Sequence, residues 1–288
     1  MKDMILKSIN NYGRMIKFSH TIFALPFAIS SLFIVSRDYE ITFMKVFWIV
    51  LAMVGARSAS MGFNRLVDAD IDSENPRTKG REIPSGKISK KEVVIFILFF
   101  SFLFIGSAYM LNTLCYYLSY PTLLFLFFYS YTKRFTSYSH YILGASIGIS
   151  PAGAWLAISG EFTLEPLILI ISLGSYIAGF DILYSCQDEE FDRNSELFSI
   201  PSKFGREKSL KISSYTHFVT FLLFLLTGIF YNLSQGFFVV SLIIGLLLFV
   251  EHKLVSSDDM SKIKIAFLYV NSLISVLFLI GVVLGTLW

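Results

Sequence analysis

The sequence predicts an all-α, polytopic membrane protein with nine transmembrane helices, and three observations lead there. The chain is 55% apolar and only 16% charged, whereas a soluble domain is about one quarter charged. Its apolar residues fall in blocks long enough to cross about 30 Å of hydrocarbon. Its basic residues gather in alternate polar breaks between those blocks, as cytoplasmic loops do. The same composition excludes a disordered chain, and continuous rather than alternating blocks exclude an outer-membrane barrel.

Taken in order, the blocks predict spans at 19–36, 44–63, 93–111, 113–131, 141–158, 165–185, 214–231, 235–251 and 264–286. The first follows a lead carrying Lys2, Lys7, Arg14 and Lys17. It is too long for a signal-peptide core and lacks a small-residue cleavage site, so it is expected to remain in the mature protein. Four Lys/Arg precede span 1, seven lie between spans 2 and 3, two and five occupy the next same-side breaks, and three, Lys253, Lys262 and the edge residue Lys264, lie around the last. The opposite side holds only Arg37 and Lys45. The N-terminus and the loops 64–92 and 186–212 are therefore expected in the cytosol, with residues 1–288 forming one transmembrane domain.

A net charge of +3 spread by topology carries no nucleic-acid signature. Cys115 and Cys186 are expected on opposite halves of the bilayer, which disfavours a disulfide. No Cys/His ligand spacing is present. His20, His140, His217 and His252 read as scattered polar anchors near the membrane interfaces.

The carboxylates are more informative, because acids near membrane helices are costly and normally face a protein-lined cavity. One cluster, Asn64 to Asp72, ends span 2, and another, Asp181 to Asp192, ends span 6. On an unbroken helix at about 100° per residue, Asn64, Asp68 and Asp72 share an arc of about 80°, which Arg57 extends toward the bilayer. Asp181, Asp188 and Asp192 fall within about 40° of one another, whereas Asp70 and Glu190 point elsewhere. No proline interrupts either segment. Four crossings separate the two spans, so both carboxylate sets reach the same side of the membrane. Such a concentration of like charge needs a cation, and Mg²⁺, held by one or two carboxylates together with substrate phosphates, suits a diphosphate. Arg77, Lys79 and Arg81 follow in a loop punctuated by Pro76, Gly80, Pro84 and Gly86, and Lys133-Arg134 follow span 4. These cations can neutralise diphosphate oxygens left free by metal, or serve only as positive-inside charge.

Arg57 to Gly86 resembles the first aspartate motif and following loop of the UbiA superfamily of intramembrane prenyltransferases, an Asn-x-x-x-Asp-x-x-x-Asp pattern continued by Arg-Thr-Lys and Pro-Ser-Gly. Asp181 to Asp192 is similar to its second motif, and Ser199-Ile200-Pro201 through Phe204-Gly205 continues the likeness. Ser19-His20-Thr21 with Leu25-Pro26-Phe27, and Tyr131 to Thr136, resemble the family's first helix and the end of its fourth. One departure is Arg-Glu-Ile-Pro at 81–84, where many members have Arg-Pro-Leu-Pro.

The resemblance implies a UbiA-like helical bundle that transfers a polyprenyl group from its diphosphate to an aromatic acceptor with Mg²⁺. By motif position, Asn64, Asp68 and Asp72 would hold one metal, and Asp188 and Asp192 the other. Lys79 and Arg81 would contact diphosphate, helped by Arg57 and Lys133. Asp181 would lie near the reacting carbon as the base, and Tyr184 could face the carbocation. Arg134 is the candidate partner for a carboxylated acceptor such as 4-hydroxybenzoate. The implied partners are polyprenyl diphosphate, a small aromatic acid and membrane lipid, in a bacterial inner membrane with the active site toward the cytosol. The resemblance points to the quinone branch, in ubiquinone or menaquinone biosynthesis. A futalosine-pathway naphthoate is the alternative acceptor. A Mg²⁺ transporter is the more distant reading, because its path would place polar residues through the membrane centre.

Overall fold

The structure is a computed structural model that describes residues 10–17, 21 and 23–287. Among these residues it is helical throughout, with no strand. In chain order the helices are α1 (Leu25–Val35), α2 (Phe43–Val67), α3 (Ala69–Glu74), α4 (Lys90–Leu111), α5 (Thr113–Tyr129) and α6 (Ser139–Ser159). They continue with α7 (Leu167–Ser185), α8 (Glu189–Asn194), α9 (Ile200–Phe204), α10 (Arg206–Phe230), α11 (Gln235–Leu254) and α12 (Asn271–Leu287), the last preceded by the π-helical turn Ile265–Val270. Short 3₁₀ turns occupy Thr132–Arg134 and Cys186–Asp188.

Seven helices among the described residues are long and apolar enough to cross a membrane: α2, α4, α6, α7 with its extension to Asn194, α10, α11, and α12 with its π turn. The other two expected spans are shorter helices. Pro26 in the first turn of α1 fixes a start at Leu25, and 11 residues cover only about 17 Å. The expected beginning of that span falls partly on residues 18–20 and 22, outside the described residues. Helix α5, with 17 residues, covers about 25 Å.

Helix starts follow local chemistry. The side chain of Thr42 accepts from Lys45 N at the head of α2. Ser89 and Glu92 form a capping box on α4, and Asn112 accepts from Cys115 N to begin α5 immediately after α4 ends. Neither Cys115 nor Cys186 is in a disulfide.

The chain divides into two compact units, 1–21 with 42–131 and 22–41 with 132–288. In the first, α2 packs along α4, and α5 packs on both. Met15, Ala69, Ile83, Ile88, Val93 and Ile97 form its buried cluster near the acidic end of α2. In the second unit, α7 lies against α6 and α10, while α1 packs on α6 and α12. The α6–α7 contact is a backbone approach of the kind small residues permit between membrane helices: a Cβ at Gly144 would overlap the Gly174 carbonyl. Phe27, Phe224 and Phe278 fill the core of this unit, with Phe27 and Phe278 stacked at 4.3 Å. Many other aromatic rings, including Phe99, Phe102, Phe218 and Phe249, lie exposed on helix faces, as lipid-facing side chains do.

The histidines are not the scattered anchors the sequence suggests. His140 is buried against Asp181, and His217 and His252 meet with Glu251 inside the second unit. Tertiary packing, rather than sequence spacing, brings them together. His20 lies outside the described residues.

Candidate active site

The first acidic set sits where α2 ends. Asp68 closes α2 and opens α3 with φ −89° and ψ 3°, so the helix is interrupted at that residue rather than continuing unbroken. The backbone ladder nevertheless carries across the interruption, with Asp68 N donating to Asn64 O at 2.9 Å and Asp72 N to Asp68 O at 2.8 Å. Asn64, Asp68 and Asp72 therefore remain successive neighbours along the backbone ladder. Asn64 Nδ2 donates to Asp68 Oδ2 at 3.0 Å. Arg81 Nη1 donates to both oxygens of Asp72, at 2.7 and 2.6 Å. Asp68 and Asp72 are only 5% and 6% exposed, which puts a premium on nearby positive charge.

That charge is supplied by more residues than the spacing revealed. Arg65 is buried, donating through Nε to Met15 O at 3.2 Å and through Nη1 to Asn64 Oδ1 at 3.3 Å. Lys17 is half-buried, and its ammonium is held below the usual lysine range, first by desolvation and then by repulsion from Arg65, Arg81 and Arg77. Lys17 thus lies among the cations Arg65, Arg81 and Arg77. Both residues escaped the sequence reading, Lys17 because it lies in the polar lead and Arg65 because it neighbours the acidic face without sharing its register. Arg57 donates through Nη2 to the Lys17 carbonyl at 3.1 Å. Lys79 is exposed. Asp70 points outward, as expected, and pairs with Lys90 at 2.9 Å.

The second acidic set also departs from an unbroken helix. Residues Cys186–Asp188 form a 3₁₀ turn between α7 and α8, and each residue of a 3₁₀ turn rotates about 120° instead of about 100°. The 3₁₀ turn thus stands between Asp181 on α7 and Asp192 on α8, with Asp188 as its last residue. Asp192 is buried, hydrogen-bonded by the Ser199 hydroxyl, with Lys133, Asp188 and His140 as its charged or ionisable neighbours. Lys133 is held in place through its backbone, since Phe198 N donates to its carbonyl at 2.7 Å. Arg134 shares the same 3₁₀ turn.

Asp181 has a partner that sequence spacing could not reveal. His140 Nδ1 lies 2.7 Å from Asp181 Oδ2, and His140 Nε2 faces the Ile200 amide at 3.3 Å. Because Ile200 N–H can only donate, Nε2 accepts and Nδ1 carries the proton to Asp181. A neutral imidazole thus orients the carboxylate. The sequence signal, had it been weighted, was His140 at the foot of the span following the Lys133-Arg134 pair. Tyr184 stacks on Phe267 at 4.1 Å, so one face of its ring is committed to packing.

Both sets offer what a hard divalent cation takes: carboxylate and amide oxygens, mostly buried, with no thiolate or imidazole in the Asn64–Asp68–Asp72 set.

Comparison with known proteins identifies the family. Residues 24–285 match the UbiA prenyltransferase family. The 4-hydroxybenzoate octaprenyltransferase of Yersinia pseudotuberculosis serotype IB (strain PB1/+) is 30% identical over 230 residues, covering 80% of each chain. That of Serratia proteamaculans (strain 568) is 27% identical over 240 residues, covering 82% of each. Among solved structures, the apo form of a UbiA homologue from Aeropyrum pernix K1 superposes with a TM-score of 0.83 at 29% identity, over 93% of this chain and 98% of that one. A UbiA homologue from Archaeoglobus fulgidus bound to GPP and Mg²⁺ shares the fold, with a TM-score of 0.75 at 20% identity over 95% of this chain and 98% of that one. With its membrane-length helices, its two acidic sets and these likenesses, the chain belongs to the UbiA prenyltransferase family and is an integral membrane prenyltransferase.

Proposed function

We propose that this protein transfers a polyprenyl group from polyprenyl diphosphate to the ring of 4-hydroxybenzoate, with Mg²⁺, at the cytosolic side of a bacterial inner membrane. The observation that carries this reading is the Asn64–Asp68–Asp72 set, its two carboxylates buried, with Arg81 on Asp72 and Lys17 and Arg65 close by. It offers oxygens for a hard cation beside cations for a phosphate. The names of the curated relatives favour 4-hydroxybenzoate as acceptor.

Asn64, Asp68 and Asp72 would hold one Mg²⁺, and Asp188 and Asp192 a second. Bound there, Mg²⁺ supplies Lewis-acid stabilisation of the departing diphosphate. The residues of the chain do the rest. Lys79, Arg81 and Lys133, with Arg57 in support, bind and orient diphosphate oxygens and offset their growing charge as the allylic C–O bond breaks. Apolar helices keep water from the allylic cation, to which the Tyr184 ring adds cation–π attraction of about 0.5–2 kcal/mol. Arg134 pairs with the acceptor carboxylate. Once the ring carbon has bonded to the prenyl carbon, Asp181, oriented by His140, takes the ring proton at its carboxylate and aromaticity returns.

Membranes containing the protein, supplied with labelled polyprenyl diphosphate, Mg²⁺ and a panel of aromatic acids, test the reading. Prenylated 4-hydroxybenzoate is expected. Product from a naphthoate alone would move the acceptor assignment, and no product from any aromatic acid would overturn it.

A further inference from the structure

We propose that His217, Glu251 and His252 form a site for one divalent transition-metal ion of the zinc class, separate from the aspartate sets and built inside the second unit.

Three electron-pair donors converge from two helices. His217 Nδ1 on α10 lies 2.9 Å from His252 Nε2 and 3.3 Å from Glu251 Oε2, both on α11, and the ligand atoms of all three residues lie within 4.8 Å of one another. A tetrahedral ion with bonds of about 2.0–2.1 Å sets its donors about 3.3 Å apart, close to the two separations measured from His217. The protonation pattern points the same way. His217 Nε2 faces the Tyr176 carbonyl at 3.2 Å, a group that can only accept, so Nε2 carries the proton and Nδ1 presents a lone pair. One lone pair cannot serve both neighbours. Glu251 is 0% exposed, and its Oε2 has no hydrogen-bond partner. A carboxylate so placed is costly without a positive charge at that oxygen. One cation at the convergence point answers all three donors.

The surroundings are those of a supported metal site, in which a carbonyl fixes the far nitrogen of a ligating histidine and a hydrogen bond fixes the far oxygen of a ligating carboxylate. Tyr176 supplies the first. Asn271 at the head of α12 supplies the second, its Nδ2 donating to Glu251 Oε1 at 2.7 Å. Asn271 is itself anchored, since its carbonyl accepts the Tyr176 hydroxyl at 2.8 Å. Gly179 completes the cradle, because a Cβ there would overlap the His217 ring. The ion ties α10 to α11 directly, and both to α7 and α12 through Tyr176 and Asn271. Imidazole donors select zinc-class metals over Mg²⁺, so this site and the aspartate sets take different ions.

The test is metal content and ligand-field spectroscopy on the full chain in detergent. Purified without chelator, it is expected to hold about one zinc per chain, which Asp68→Asn and Asp188→Asn retain and His217→Gln with His252→Gln loses. After chelation, Co²⁺ should produce the visible absorption of a tetrahedral nitrogen- and oxygen-ligated ion, and Zn²⁺ should raise the Tm. Sub-stoichiometric zinc together with no Co²⁺ absorption in the wild-type chain would overturn the proposal without recourse to any variant. So would zinc or a Co²⁺ spectrum retained in the double variant, or lost in the aspartate variants instead.

Discussion

Removing the His140 imidazole with His140→Phe takes from Asp181 its one named orienting donor, the 2.7 Å contact from Nδ1, and takes an acceptor from the Ile200 amide. A hydrogen bond to a charged group contributes about 1.5–3 kcal/mol. At about 1.4 kcal/mol per tenfold, its loss corresponds to a fall of roughly 10- to 150-fold in kcat if Asp181 acts in the chemical step. The KM for polyprenyl diphosphate should stay within about twofold, because His140 acts on the carboxylate rather than on the phosphate-binding cations. His140→Asn, which keeps an N–H donor, should recover part of the rate. The assay is initial-rate product formation in detergent micelles, with folding checked by monodisperse elution. Wild-type kcat in a folded His140→Phe protein would refute the positioning role. A rise in KM with unchanged kcat would place His140 in substrate binding instead.

Asp68→Ala and Asp188→Ala should each abolish Mg²⁺-dependent turnover, by at least about 10³-fold, while the protein still inserts and elutes normally; near-normal activity in either variant would reject its ligand role. Arg81→Gln leaves Asp72 without its 2.6–2.7 Å guanidinium contacts and should raise the KM for the prenyl diphosphate about tenfold or more, the worth of one charge-assisted contact, as read from substrate titrations. Gly144→Val drives a side chain into the Gly174 carbonyl and should cost about 1–3 kcal/mol, seen as a lowered Tm or as loss of monodisperse protein. An unchanged Tm would mean that the α6–α7 contact relaxes freely.

Composition and the linear pattern of charge determined the helical class, the membrane setting and the positions of both acidic sets. This was possible because apolar length and helix-end carboxylates are properties of contiguous residues. At the spans expected over 19–36 and 113–131 the described helices are Leu25–Val35, with Pro26 in its first turn, and Thr113–Tyr129, which ends two residues early. The same reading carried both acidic segments on unbroken helices, since no proline interrupts them, whereas Asp68 interrupts one and a 3₁₀ turn interrupts the other. What only the tertiary structure decided is the pairing of distant residues: Arg65 with the Met15 carbonyl, Asp181 with His140, and His217 with Glu251 and His252. Those partners lie 34 or more positions apart. Helix packing alone determines which buried polar atoms meet, because inside an apolar bundle each must find its complement wherever the chain brings one.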